Sequence, residues 1–304
     1  MTKVDELLMD GKLKEAMDTM RCLPEYEKEL ERYVNLFENK NYRQYEVSEL
    51  LNEILLAYQE YFREVFYCGT DEQQAAAQLT EKLCLLLSVS EDDTDILTEK
   101  LQQIFGQEGY HTLFGKTQGY FGPYVWKDTV PATYQVELPD GTEEYTVNVL
   151  KGFLFRSWMD YLTFGKHGAG GWASEDGTVN CIECAYDFDS EKFKISFLKH
   201  EAQHVRDMRE YPDITSVELE YRAKLVELCY SNASGLLTKF IRFADENKVN
   251  DSHAMASVRI KEGFSDREYE NVEEIRQRAL ELFAISTEQL KKDERNKRGE
   301  AYDN

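Results

Sequence analysis

The chain has 304 residues, enough for one large domain or two smaller domains with real hydrophobic cores. It carries 36 basic and 58 acidic residues, and the resulting net charge of −22 excludes binding to nucleic acid or anionic membranes through a general positive field. Its sequence contains no unbroken apolar run of the length needed to span a bilayer, so it predicts no membrane span.

The N-terminal residues and the distribution of cysteines indicate the cellular compartment. The N-terminal stretch over residues 1–17 is amphipathic and lacks the apolar centre of a signal peptide. The six cysteines are scattered and predict free thiols in a reducing compartment. They are Cys22, Cys68, Cys84, Cys181, Cys184 and Cys229. We therefore expect a cytoplasmic protein.

The first third of the chain reads as a series of amphipathic helices. No proline occurs between Pro24 and Pro123, and apolar residues recur at helical spacing. The predicted helices cover residues 3–20, 24–38, 45–67, 71–86 and 94–106. Together they predict a helical N-terminal region over residues 1–108.

Beyond residue 109 the pattern changes to clustered aromatic residues, glycine and proline. A β-hairpin is predicted within 133–150, with Pro139-Asp140-Gly141 as its turn. Further predicted elements are a helix over 151–162, a strand over 178–186, and later helices over 215–244, 251–263 and 267–295. The predicted fold class is α+β and predominantly α-helical, with a second domain over 109–304.

The stretch His200-Glu201-Ala202-Gln203-His204 carries the clearest chemistry. Histidines four apart on a helix lie on one face, so both imidazoles can reach one zinc ion. Glu201 then projects beside the metal and can take a proton from metal-bound water. The histidines continue an apolar stripe that also holds Phe193, Phe197 and Met208. The alternative is a surface helix with two incidental histidines.

A catalytic zinc needs a third protein ligand, and no further histidine follows at short range. The next predicted helix holds Glu218 and Glu220, which are two apart, so about 200° separates them and only one can face the metal. Thr215 and Glu218 match a capping box, which gives Glu218 a structural role. Glu220 lies one turn before the small Ala223, so we predict Glu220 as the ligand.

HEAQH followed by Glu220-Tyr221-Arg222-Ala223 resembles the gluzincin class of zinc metallopeptidases, over roughly residues 165–260. The resemblance implies a zincin-like catalytic domain with a small β-sheet before the HEAQH helix. It also implies zinc-dependent hydrolysis of a peptide or protein substrate, with Glu201 as general base. A strand before the helix pairs with extended substrate in such enzymes, and 178–186 or Gly170–Ser174 would take that role.

The sequence departs from this class at Lys224, where many members have aspartate four residues after the third ligand. The partner that orients a ligand histidine is thus unidentified, and Asp207 is either that partner or an ordinary surface charge. His253 opens a later helix and either stabilises the oxyanion or lies on the surface.

Two other pairs of residues carry less chemistry. Cys181 and Cys184 form a CxxC without a second pair, which favours two ordinary thiols. His111 and His167 lie in glycine-rich loops and are interpreted as incidental.

Two further hypotheses stand beside the peptidase. The chain could be a catalytically silent zincin-fold protein with a binding or regulatory role, whose N-terminal helices hold a protein partner. It could instead be a purely structural helical protein without stoichiometric metal. The intact Glu201 favours the peptidase.

Overall fold

The structure, a computed structural model, describes residues 2–90, 94–174, 177–233 and 235–300. The chain divides into two compact units. Unit 1 comprises Met1–Asp128 and Leu150–Gly168, and unit 2 comprises Thr129–Val149 and Ala169–Asn304.

Unit 1 is mainly helical. Its helices are α1 (Lys3–Met9), α2 (Leu13–Arg21), α3 (Glu27–Tyr33), α4 (Glu49–Phe62), α5 (Glu72–Leu87), α6 (Thr94–Gln107) and α7 (Ser157–Leu162). A 3₁₀ turn over Pro24–Tyr26 precedes α3, and π-helical segments over Val34–Glu38 and Arg63–Cys68 extend α3 and α4. Gly11 has a φ of +71°, which interrupts the helix predicted over 3–20 and separates α1 from α2.

Five short strands complete unit 1. They are β1 (His111–Leu113), β2 (Lys116–Thr117), β3 (Tyr120–Phe121), β4 (Tyr124–Trp126) and β7 (Phe155–Arg156). The strands β1, β4 and β7 form an antiparallel sheet in the order β1-β4-β7, and β2 pairs with β3. The helix predicted over 151–162 was therefore wrong in its first half. Phe155 pairs with Val125 in the sheet, and the helix begins only at Ser157.

Unit 2 contains one four-stranded sheet. Its strands are β5 (Asp128–Leu138), β6 (Gly141–Lys151), β8 (Gly171–Ala173) and β9 (Val179–Ile182), in the order β5-β6-β9-β8. The predicted hairpin is confirmed, since Pro139 and Asp140 connect β5 directly to β6. The predicted strand over 178–186 is shorter than expected, because a 3₁₀ turn over Glu183–Ala185 ends it. Strand β8 is the outermost strand of the sheet, antiparallel to β9.

In the described part of unit 2, six helices follow this sheet in the sequence. They are α8 (Glu191–Phe193), α9 (His200–Glu210), α10 (Ser216–Tyr230), α11 (Gly235–Phe243), α12 (Ser252–Gly263) and α13 (Val272–Glu300). A π-helical segment over Lys194–Lys199 joins α8 to α9. Helix α10 packs against α9, α12 and α13, and every residue from 221 to 229 is buried. It is therefore the central helix of unit 2.

The expected fold class, α+β and mostly helical, is confirmed. The units do not follow the expected ranges 1–108 and 109–304, because Val125, Phe155 and Trp158 pack into the same core as the N-terminal helices. Among the helices that the structure describes, none combines the length and the apolar character needed to cross a membrane.

Candidate metal centre

Helix α9 presents His200 and His204 toward the interior of unit 2. Both side chains are buried, and their ring centroids lie 4.6 Å apart. Ser190 caps the start of the helical run that leads to α9, since its hydroxyl accepts a hydrogen bond from the Phe193 N–H at 3.2 Å. The helical run from residue 191 to 210 changes to π-helical geometry over Lys194–Lys199, directly before His200. Such segments are often found at functional sites.

Glu220 reaches the two histidines from α10. Its Oε1 lies 3.3 Å from Nε2 of His204, and its Oε2 lies 3.5 Å from Nε2 of His200. One ligand atom from each of the three residues lies within 4.8 Å of the others. Among the residues that the structure describes, His200, His204 and Glu220 are the group of three whose side chains are spaced to hold one metal ion. The structure therefore brings together the three residues that the sequence proposed as zinc ligands.

Glu218 turns away from the histidines. Its Oε2 pairs with Arg259, and its Oε1 accepts a hydrogen bond from the Ser286 hydroxyl at 2.7 Å. Thr215 caps α10, with its hydroxyl accepting from the Glu218 N–H at 3.2 Å. Only this half of the predicted capping box forms, because Arg259 and Ser286 engage the Glu218 carboxylate instead. Glu218 is structural, as expected, through different partners.

Glu227 is a site residue that the sequence reasoning missed. Its Oε1 lies 2.9 Å from Nδ1 of His200, and the side chain is buried. It follows Glu220 by seven residues, which returns to the same face of α10. A carboxylate on the second nitrogen fixes the orientation of a ligand histidine and leaves Nε2 for the metal. Glu227 thus fills the role for which the sequence offered Asp207.

Neighbouring groups shift the pKa values of both His200 and Glu220. Burial alone would lower the pKa of His200, but the neighbouring carboxylates of Glu220 and Glu227 raise it to about 10 in the metal-free protein. Burial would raise the pKa of Glu220, yet the three surrounding histidines hold it well below the usual range. The site therefore gathers negative charge that favours a cation.

Glu201 follows His200 on α9 and is half-buried. Its charge acts on Cys181 in β9 and on Tyr186, which follows the 3₁₀ turn after β9. Burial, neighbouring Cys184 and Glu183, and the charge of Glu201 together raise the pKa of Cys181 to about 12. Burial, Cys181 and Glu201 likewise raise the pKa of Tyr186. Cys181 is buried and Cys184 is exposed, and neither forms a disulfide.

His253 lies at the edge of this cluster. It stands in the first turn of α12, which Asp251 caps by accepting hydrogen bonds from two backbone N–H groups. Nδ1 of His253 lies 2.8 Å from Oε2 of Glu220, while 61% of its side chain is exposed. The contact lacks the geometry of a hydrogen bond, since the buried Oε2 has no hydrogen-bond partner among the described residues. His253 is thus both exposed and adjacent to the centre.

Asp207 forms a buried ion pair and is not a surface charge. Nε of Arg222 donates to its Oδ2 at 2.8 Å, and both side chains are almost fully enclosed. Nη1 of Arg222 also donates to the hydroxyls of Ser286 and Thr287, at 3.0 and 2.9 Å. This network connects α9, α10 and α13 behind the centre. Nδ1 of His204 is buried without a hydrogen-bond partner among the described residues.

The remaining histidines lie in unit 1. His111 stacks on Trp126 with ring centroids 5.8 Å apart. Nε2 of His167 lies 3.8 Å from Oδ1 of Asp5. Neither is part of the cluster of His200, His204 and Glu220.

Strand β8 lies against α9. Two glycines at the beginning of this strand allow close packing against Tyr186, β9 and the π-helical segment before α9. A β-carbon on Gly170 would collide with the Tyr186 hydroxyl, and one on Gly171 would collide with the Asn180 carbonyl oxygen and the Phe197 ring. The sheet therefore ends in a strand that runs close to the helix carrying the candidate ligands.

Comparison of the chain with family models, with curated proteins and with solved structures finds no match. The resemblance to gluzincins consequently rests on the two motifs in α9 and α10 and on the side-chain arrangement they produce.

Proposed function

We propose that the protein hydrolyses peptide bonds with the help of a zinc ion held by His200, His204 and Glu220. The observation that carries the proposal is the convergence of these three side chains from α9 and α10. Two imidazoles and one carboxylate are a donor set typical of catalytic zinc sites.

The distances support zinc as the occupant. Two ligands about 2.0–2.1 Å from one tetrahedral ion lie about 3.3 Å apart. Each carboxylate oxygen of Glu220 lies at about this distance from one histidine, 3.3 Å from Oε1 to His204 and 3.5 Å from Oε2 to His200, which exceeds an ordinary hydrogen bond. When bound, zinc supplies Lewis-acid chemistry, which polarises the scissile carbonyl and makes water more acidic.

The catalytic work of the chain falls to Glu201. Its carboxylate accepts a proton from the attacking water and delivers that proton to the leaving amine. In this proposal His253, exposed at the edge of the centre, donates a hydrogen bond to the developing oxyanion. Extended peptide would pair with the outer edge of β8, beside α9. The negatively charged surface and free thiols support a cytoplasmic location.

Zinc content is the first test. Purified wild-type protein is expected to hold about one zinc per chain, and His200→Ala, His204→Ala and Glu220→Ala should lose it. Glu218→Ala is the matched control, because it removes a carboxylate from the same helix without touching the centre. That variant should keep its zinc and lose about 0.5–2 kcal/mol of stability through its hydrogen bonds and ion pair. Equal zinc loss in both glutamate variants would contradict the assignment.

Hydrolysis is the second test, on a peptide library with the zinc-loaded protein. Glu201→Gln should retain zinc and fold while losing cleavage, because an amide cannot accept the proton. His253→Phe should lower kcat by about 10²–10³ with unchanged zinc content. Wild-type cleavage rates in Glu201→Gln would exclude Glu201 as the base. Bound zinc with no cleavage of any peptide would support the silent binding protein instead.

A further inference from the structure

Lys224 is a buried cation close to the candidate centre. It stands on α10 one turn after Glu220, and only 7% of the residue is exposed. Burial lowers the pKa of its ammonium, while Glu220 and Glu227 act in the opposite direction. A buried charge is costly unless a partner compensates it, so the surroundings of this ammonium call for an explanation.

The fold does not give Lys224 such a partner. Among the residues that the structure describes, no carboxylate lies within ion-pair distance of its Nζ and no acceptor forms a hydrogen bond with it. Its close neighbour is the Phe240 ring, 4.8 Å from Nζ. Nζ has no hydrogen-bond partner in the described part of the chain, yet it is not sealed from solvent. The alkyl chain of Lys224 is thus buried, and the ammonium at its end is accessible.

Arg222 shows that this arrangement is not general on α10. That guanidinium is buried to a similar degree, and it has a carboxylate and two hydroxyls as partners. The same helix therefore carries one buried cation that the protein satisfies and one that it leaves open. This contrast indicates that the open cation serves something outside the protein.

The position of Lys224 relates it to the centre. Phe240 comes from α11, and the charge of Asp251, at the start of α12, reaches the ammonium. His253, two residues after Asp251, contacts Glu220. Lys224 and Glu220 therefore both lie where α10 meets the first turn of α12. A substrate at the candidate centre would have a positive charge within one helical turn of the glutamate ligand.

We propose that Lys224 binds a carboxylate of the substrate, so that the preferred peptides carry a negative charge near the scissile bond. The inference rests on the proposed peptidase function and specifies its substrate class. A carboxylate can come from the peptide C-terminus or from an aspartate or glutamate side chain. Either forms a charge-assisted hydrogen bond with the ammonium and compensates its burial.

Binding measurements test this without relying on turnover. The probes are four pools of fluorescently labelled hexapeptides. The first two pools differ at the C-terminus, which is free in one and amidated in the other. The second two pools are both amidated and carry central Asp/Glu in one and central Asn/Gln in the other. Fluorescence anisotropy is recorded with zinc-loaded Glu201→Gln protein. One of the two carboxylate-bearing pools should bind about 10- to 100-fold more tightly than its neutral counterpart. The pool that does so identifies the source of the carboxylate.

Variants of the same zinc-loaded protein separate recognition from structure. Adding Lys224→Met should remove the preference with unchanged zinc content, and adding Lys224→Arg should keep it. Lys239→Met is the control, because Lys239 is an exposed cation of α11 in electrostatic range of Lys224. Equal binding of charged and neutral pools, or no binding of any pool, would overturn the inference. The inference would also be overturned if Lys224→Met weakened the binding of all pools alike or lost zinc. Lys224 would then only balance the negative charges of Glu220 and Glu227.

The two proposals fail in different ways. Cleavage without a charge preference would leave the peptidase standing and remove the role of Lys224. A Lys224-dependent preference in binding without any cleavage would remove the peptidase and retain the carboxylate site.

Discussion

Glu227 contacts His200, one of the proposed metal ligands. Its Oε1 lies 2.9 Å from Nδ1 of the imidazole. Glu227→Gln should therefore weaken zinc binding by about 10- to 100-fold, because an amide orients the ring less strongly and does not support its basicity. Competition with a calibrated chelator measures this affinity. Glu218→Gln, a change on the same helix outside the centre, should leave it unaltered. Equal affinities in wild type and Glu227→Gln would show that this contact does not orient a ligand.

Zinc binding should also depend on pH. The raised pKa of His200, about 10, means that the metal-free site holds a proton at neutral pH, which zinc must displace. The apparent affinity should rise by about tenfold per pH unit between pH 7 and 8. In metal-free protein the same raised pKa contributes stability below pH 6.5 that is lost as pH rises through about 10. Titration at several pH values tests this, and Glu227→Gln should show a shallower dependence.

Individual residues differ in how far the sequence predicts them. His200 and His204 were predictable because helical spacing alone places both on one face. Glu227 has the same regular spacing from Glu220, but a glutamate seven residues on is common on solvated helices. Only the packing of α10 against α9 shows that this one is buried beside an imidazole. Asp207 was misjudged for a similar reason, since its partner Arg222 comes from another helix.

At the level of elements, the close packing of β8 against β9 and Phe197 depends on Gly171. Any side chain there would collide with the backbone carbonyl of Asn180 on β9. A backbone atom cannot rotate away as a side chain can. Gly171→Ala should therefore lower the free energy of unfolding by on the order of 2 kcal/mol and weaken peptide binding at this edge. Urea denaturation measures the first effect and the labelled peptide pools measure the second.

Gly235→Ala provides the matched control for this substitution. It also lies in unit 2, at the first position of α11, and a β-carbon there meets no atom within 4 Å. The change should be neutral or add up to about 1 kcal/mol, because alanine reduces the freedom of the unfolded chain. Similar losses from both substitutions would mean that the collision at Gly171 is relieved by local movement.

Elements with strong local signals were predictable, and those defined by distant pairing were not. Proline, aspartate and glycine over 139–141 are sufficient to turn a hairpin, and the strands on either side alternate as expected. Residues 151–156 have a helical pattern of apolar side chains, yet β6 continues to Lys151 and β7 pairs with β4. Strand pairing across about thirty residues overrode the local preference.

At the scale of the molecule, each unit has its own apolar core, and the candidate ligands all belong to unit 2. A metal that binds only the folded state stabilises it by about 2.7 kcal/mol at 100 times its Kd. Chelation should therefore increase hydrogen exchange in α9 and α10 and leave exchange in α4 and α5 unchanged. Mass spectrometry of exchanged peptides provides the measurement.

His204→Ala is the control for chelation, because it should show the high exchange in α9 and α10 with or without chelator. A uniform increase across both units of the wild-type protein would mean that the metal supports the chain in some other way. Unchanged exchange everywhere would argue against a metal in unit 2.

The hydrogen-bond network around Arg222 extends beyond the part of the chain that carries the two motifs. The motif residues and their next helix occupy a short window, roughly 165–260, whereas Ser286 and Thr287 lie outside it on α13. Those hydroxyls accept hydrogen bonds from the guanidinium of Arg222, which also pairs with Asp207. Asp207 lies one turn after His204 on α9. A fragment cut at the end of the motif window would leave this buried cation with one of its three hydrogen-bond partners. The smallest autonomous form of the centre therefore extends past residue 287, although none of its chemistry lies there.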